Sequence, residues 1–109
     1  MSNAYKVLGQ SNPSATTLTA LYTVPSSTSA VCSTLSICNT GSAQTTYRVA
    51  VRPAGATIST SHYLAYDVQI SGNDSIMLTL GLSLATTDVV SVYAGTANVA
   101  FSLFGSEIT

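Results

Sequence analysis

The sequence predicts an all-β domain: about eight antiparallel strands forming a two-sheet sandwich. Three observations carry the prediction. Apolar residues recur at every second position in run after run, as in Tyr47, Val49 and Val51 or Ile76, Leu78, Leu80 and Leu82, the period of a strand with one buried face. Clusters of Gly, Pro, Asn, Asp and Ser separate these runs at intervals of roughly 8 to 14 residues. Ser and Thr supply about three residues in ten; the β-branch of Thr suits a pleated surface, whereas both hydroxyls compete with helical hydrogen bonding.

Taken in order, Ala4 to Leu8 is a short strand, and Gly9 to Thr17 is a loop containing Asn12-Pro13. Residues 1–17 thus form a short N-terminal arm or strand on a single domain spanning 1–109. Leu18, Leu21, Tyr22 and Val24 mark a second strand, ended by Pro25 and a serine-rich run. From Ala30 to Asn39 the alternation places Val31, Leu35 and Ile37 on one face, with Cys32, Thr34, Ser36 and Cys38 on the other. After the turn Asn39-Thr40-Gly41-Ser42, the alternation resumes with Tyr47, Val49 and Val51 against Arg48, Ala50 and Arg52, and Pro53-Ala54-Gly55 ends that strand.

His62 to Ile70 puts His62, Leu64, Tyr66, Val68 and Ile70 on one face and Tyr63, Ala65, Asp67 and Gln69 on the other. The turn Ser71-Gly72-Asn73-Asp74 leads into Ile76 to Leu82, so these two segments are expected to pair as a hairpin. Val90, Val92 and Ala94, then Val99, Phe101 and Leu103, complete eight strands. No sustained helical period is present, so no long helix is expected. A jelly-roll-like topology is the first expectation and an immunoglobulin-like one the alternative.

Composition bounds the function. At 109 residues the chain makes one core. Charged residues are 6% of it, against roughly 25% in soluble proteins generally, and apolar residues are 46%, so the chain has the means to fold. The net charge is −1, with only Lys6, Arg48 and Arg52 positive, which argues against nucleic-acid partners and a polybasic membrane anchor. The apolar residues are interleaved with polar ones, short of the roughly 18 to 20 in succession that a spanning helix needs. Met1 to Lys6 lacks the basic start and apolar stretch of an export signal, so synthesis in a cytoplasm is expected.

Reactive side chains form no catalytic pattern, and a non-enzymatic protein without cofactor or metal is expected. Cys32 and Cys38 stand six positions apart in one strand, a separation near 20 Å at about 3.3 Å per residue, far beyond the roughly 7 Å Cα limit of a disulfide. His62, the one histidine, has no ligand-like spacing to either cysteine and reads as a strand-start residue beside a turn. No Gly-x-Ser-x-Gly elbow is present, and Asp74 and Asp88 fall in turns, where Asp bonds its own backbone. Asn73-Asp74-Ser75 fits a glycosylation sequon and reads as a turn. The polar feature that stands out is Arg48 with Arg52, about 13 Å apart on one face, candidates for contact with a neighbouring subunit. Asp67 is placed to pair with either across adjacent strands. On the N-terminal arm, Tyr5 and Lys6 are the corresponding interface candidates.

The order of segments resembles small virion structural proteins of tailed bacteriophages. Residues that carry the resemblance are Leu21-Tyr22-Thr23-Val24-Pro25, Ile37-Cys38-Asn39-Thr40-Gly41, Tyr47 to Pro53, His62 to Asp67, Leu82 to Val90 and Asn98 to Gly105, together spanning nearly the whole chain. The resemblance implies a β-sandwich without catalytic residues, attached to the head, neck or tail of the particle. The leading expectation is a head decoration or cement protein, a homo-oligomer with a trimer as the first symmetry to consider, bound to the major capsid protein. A neck or tail-fibre component, docking through its N-terminal arm, is the alternative within the same class. Outside that class stands a carbohydrate-binding jelly roll using Tyr63, Tyr66 and Tyr93, which the lack of Trp weakens.

Overall fold

A computed structural model describes residues 3–109. Eight strands follow one another as β1 (Asn3–Ser11), β2 (Thr19–Thr23), β3 (Ser29–Asn39), β4 (Thr45–Arg52), β5 (Tyr63–Ile70), β6 (Ser75–Leu84), β7 (Val89–Ala94) and β8 (Val99–Ile108). Two 3₁₀ turns, Pro53–Gly55 and Thr60–His62, lie between β4 and β5. Among the described residues no helix is long and apolar enough to cross a membrane.

The strands form two four-stranded antiparallel sheets, ordered β1-β8-β3-β6 and β2-β7-β4-β5. Every connection except β4 to β5 passes from one sheet to the other. This is jelly-roll order, in place of the immunoglobulin-like alternative. The alternating residues of both sheets meet in one core: Leu35, Ile37, Phe101 and Leu103 from the first, Tyr47, Val49, Val90 and Val92 from the second. Tyr47 and Phe101 meet edge to face across it, with ring centroids 6.5 Å apart.

Four expectations from the sequence change. First, β1 extends beyond Leu8 to Ser11, because a bulge at Leu8 lets pairing with β8 continue from Gly9. Gly9 is needed there: a Cβ would lie 2.3 Å from the Leu21 carbonyl oxygen. The N-terminal arm is thus the edge strand of its own sheet; Met1 and Ser2 lie outside the described residues.

Second, the faces of β3 switch midway. Ser33 has no counterpart on β8, where Cys32 faces Gly105 and Thr34 faces Phe104. One extra residue reverses the alternation, so Ala30 and Cys32 point inward before the bulge, and Leu35 and Ile37 after it, while Val31 is exposed. Cys32 and Cys38 therefore lie on opposite faces, both as free thiols.

Third, Leu64, Tyr66 and Val68 of β5 are exposed and only Ile70 of the expected inner face is fully buried. Tyr66 and Asp67 both stand opposite Arg48, and Leu64 is a further extra residue between Tyr63 and Ala65. Asp67 takes a φ of +50°, a conformation Asp tolerates better than most residues. Fourth, β5 and β6 do not form a hairpin: β5 pairs with β4 and β6 with β3. The Ser71–Asp74 turn instead carries the chain from one sheet to the other.

That crossing is held by Asn39, which is 1% exposed. Its amide nitrogen donates to the carbonyls of Ala43 (2.9 Å), Ser71 (3.2 Å) and Ile70 (3.4 Å), and its side-chain oxygen accepts the Gly41 N–H at 3.0 Å. The backbone adds Asn39 N–H to the Asp74 carbonyl and Asn73 N–H to the Gly41 carbonyl. Gly72 packs so close that a Cβ would stand 2.1 Å from the Ser42 oxygen. Replacing Asn39 by Ala strands buried carbonyls, and the expected loss is about 3 kcal/mol, read as a lower urea midpoint at unchanged slope; Thr40→Ala, removing an exposed hydroxyl bond to the Asn98 carbonyl, is expected to shift it far less.

Candidate functional site

The outer face of the second sheet gathers Arg48, Arg52 and Asp67 of the polar residues singled out in the sequence. β4 presents Arg48 and Arg52 there, and the β5 bulge swings Asp67 back toward Arg48. The guanidinium meets the carboxylate through two bonds, Nε to Oδ1 at 2.7 Å and Nη2 to Oδ2 at 3.3 Å. The same guanidinium lies between two rings, 4.2 Å from the Tyr66 centroid and 4.1 Å from that of Tyr93. Tyr63 packs edge-on against Tyr66 with centroids 4.9 Å apart. The bond to Asp67 raises the guanidinium pKa further above its already high value, so Arg48 is a permanent cation.

Arg52 holds a hydroxyl and a backbone group: its Nε donates to Ser91 Oγ at 3.1 Å and its Nη1 to the Ala56 carbonyl at 3.3 Å. Ala50 and Ser91, facing each other across β4 and β7, are fully buried on this face. Asp67, one of the partners that the sequence suggested for Arg48, thus lies within the chain, and the cluster is a preformed platform with Tyr66 and Asp67 as its most open parts.

A second polar group sits where β1 and β8 approach β2. Lys6 Nζ is 2.6 Å from Glu107 Oε1, and the Tyr22 hydroxyl donates to Glu107 Oε2 at 2.6 Å. The bonds from Lys6 and then Tyr22 hold the Glu107 carboxyl below its usual range. Burial first, and the Glu107 carboxylate second, push the Tyr22 phenol upward. Tyr5, one residue from Lys6, turns the other way and is 83% exposed.

The outer face of the first sheet is different in kind. Its outward residues include Tyr5 and Val7 on β1, Ala100, Ser102, Phe104 and Ser106 on β8, Val31, Thr34 and Ser36 on β3, and Met77 and Thr79 on β6. Among the described residues no charged side chain belongs to this face, and Tyr5, Val7, Val31 and Met77 are exposed on it.

Remaining reactive groups serve local structure. Burial pushes the Cys32 thiol up to about 11, away from the reactive thiolate. His62 Nδ1 accepts the Ser59 N–H at 3.2 Å in the turn before β5. Asp88 accepts the N–H groups of Ala54 and Ala85, each at 2.9 Å, and Asp74 that of Ser75. Among the described residues no three His, Cys, Asp or Glu side chains gather as metal ligands would. No protein-family model, curated protein or solved structure matches the chain.

Sequence reasoning left Asp67 to pair with either Arg48 or Arg52, of which the structure selects Arg48, and it missed Glu107 and Tyr22 as partners and Asn39 as a buried residue. Asn39 left a signal, standing in phase with Leu35 and Ile37. Glu107 had one as well, in phase with Phe101 and Leu103 on a strand that runs longer than its apolar part.

A pH series tests the Glu107 pairing. Its folded pKa lies below the ordinary 4.5, so the stability it contributes is complete above that value and is lost as pH falls through the lower folded value. Unfolding midpoints of the wild type are expected to drop in that acid window, and those of Glu107→Gln to drop less there; parallel curves would contradict the pairing.

Proposed function

We propose that the protein is a non-enzymatic structural component of a bacteriophage particle, a head decoration or cement protein that binds the shell and its own copies. The observation that carries this reading is the outer face of the first sheet, which has no charged side chain among the described residues and exposes Tyr5, Val7, Val31 and Met77. A protein that works alone in water keeps charge on such a surface for solubility, whereas one that works packed against neighbours gains by leaving it off.

Stabilisation follows from mass action. Each copy that binds only the intact shell lowers its free energy relative to the opened one, and contacts spanning adjacent capsomers add avidity. The neck or tail alternative is less well supported in its docking-arm form, since β1 is already paired along its length with β8. Carbohydrate binding draws on the exposed Tyr66 ring beside Asp67.

Imaging the particle and heating it decide among these. Expected are many copies spread over the head, and heads lacking the protein that release DNA at lower temperature. Heads that tolerate heating equally well without it, density confined to one vertex, or glycan binding abolished by Tyr66→Ala with no copies on the shell, would overturn the cement reading.

A further inference from the structure

We propose that β6 pairs edge to edge with β6 of a second copy of this chain, joining the two first sheets into one of eight strands. The proposal concerns how two copies meet and does not rest on the virion reading. Four strands form sheet edges, and three of them carry features that discourage pairing. β1 bears the charged Lys6 and a bulge at Leu8. β2 is five residues long and irregular between Ala20 and Tyr22. β5 is bent by two bulges and the positive φ of Asp67.

β6 has none of this protection from charge or brevity. It runs ten residues without a charged side chain or a proline. Its one extra residue relative to β3, at Leu80 and Gly81 opposite Ser33, leaves the in-and-out alternation unbroken from Ser75 to Leu84. Its inner residues Ile76, Leu78, Leu80 and Leu82 are only partly buried, although Leu35 and Ile37 on neighbouring β3 are fully so. Apolar surface therefore stays open along the same edge that offers unpaired backbone groups.

The sequence of β6 is complementary to itself. In an antiparallel pair centred on Thr79, Ile76 faces Leu82 and Leu78 faces Leu80 on the inner side, and Ser75 faces Ser83 on the outer. Met77, 63% exposed, faces Gly81, where a Cβ would meet nothing within 4 Å. The one long outer side chain thus lies over the one position without a side chain. No charge opposes another, and the contact is isologous, as a twofold dimer requires.

Light scattering on the full chain tests this directly. The wild type is expected at the mass of two chains or an even multiple, and Thr79→Lys, which sets two cations opposite each other, at half the wild-type mass with unchanged circular dichroism. In a Cys38→Ser background, Thr79→Cys is expected to form a covalent dimer with diamide, while Ser83→Cys, whose copies lie far beyond the roughly 7 Å Cα reach of a disulfide, is not. A wild type of single-chain mass, a mass that Thr79→Lys leaves unchanged, or Ser83→Cys linking as fast as Thr79→Cys, overturns the proposal.

Discussion

A single buried carboxamide, that of Asn39, holds together the corner on which the topology turns. Six of the seven connections pass between sheets, so almost no ladder can form from residues close in sequence. Such crossings would leave backbone carbonyls buried and unpaired where the chain leaves each strand. At the corner joining β3, β4, β5 and β6, Asn39 donates to three of those carbonyls and accepts one N–H. It thereby fixes the end of β5 against the end of β3, and so the placement of β5 and β6 in different sheets. The open edge of β6 goes with that placement.

The few charges are spent inside the molecule. Lys6 is bound to Glu107, and Arg48 to Asp67, while Arg52, Asp74 and Asp88 hold hydroxyl or backbone groups. Each such contact pins a strand end, a bulge or a turn, a role in which a modest ion-pair energy still fixes geometry. The consequence is a molecule with two unlike faces. One carries an arginine held between tyrosine rings; the other has no charged side chain among the described residues. Low charge, which in the sequence only excludes some partners, becomes in three dimensions a property of one particular surface.

Much of this was legible in the sequence. Apolar runs set off by turn residues located all eight strands, and period-two alternation put Arg48 and Arg52 on the face opposite Tyr47 and Val49, where they are. What alternation does not encode is a single inserted residue. Ser33 falls in phase with Val31, Leu35 and Ile37, and its role as a bulge is decided by its lack of a counterpart on β8 running beside it. For β5, the apolar set Leu64, Tyr66 and Val68 suggested the wrong buried face, because two extra residues opposite β4 re-aim the side chains. The turn Ser71–Asp74 was recognisable from its residues, but a turn signal does not say whether the strands it joins share a sheet. Asn39 ties that corner together, through groups up to 32 positions away.

The most direct measurement of the central claim, that the uncharged face is covered by protein where this molecule works, is hydroxyl-radical footprinting of the free protein against assembled particles. Tyr5 and Val7, exposed on that face, are predicted to oxidise much more slowly in the particle than in the free protein. Equal oxidation of both residues in the two states would contradict it.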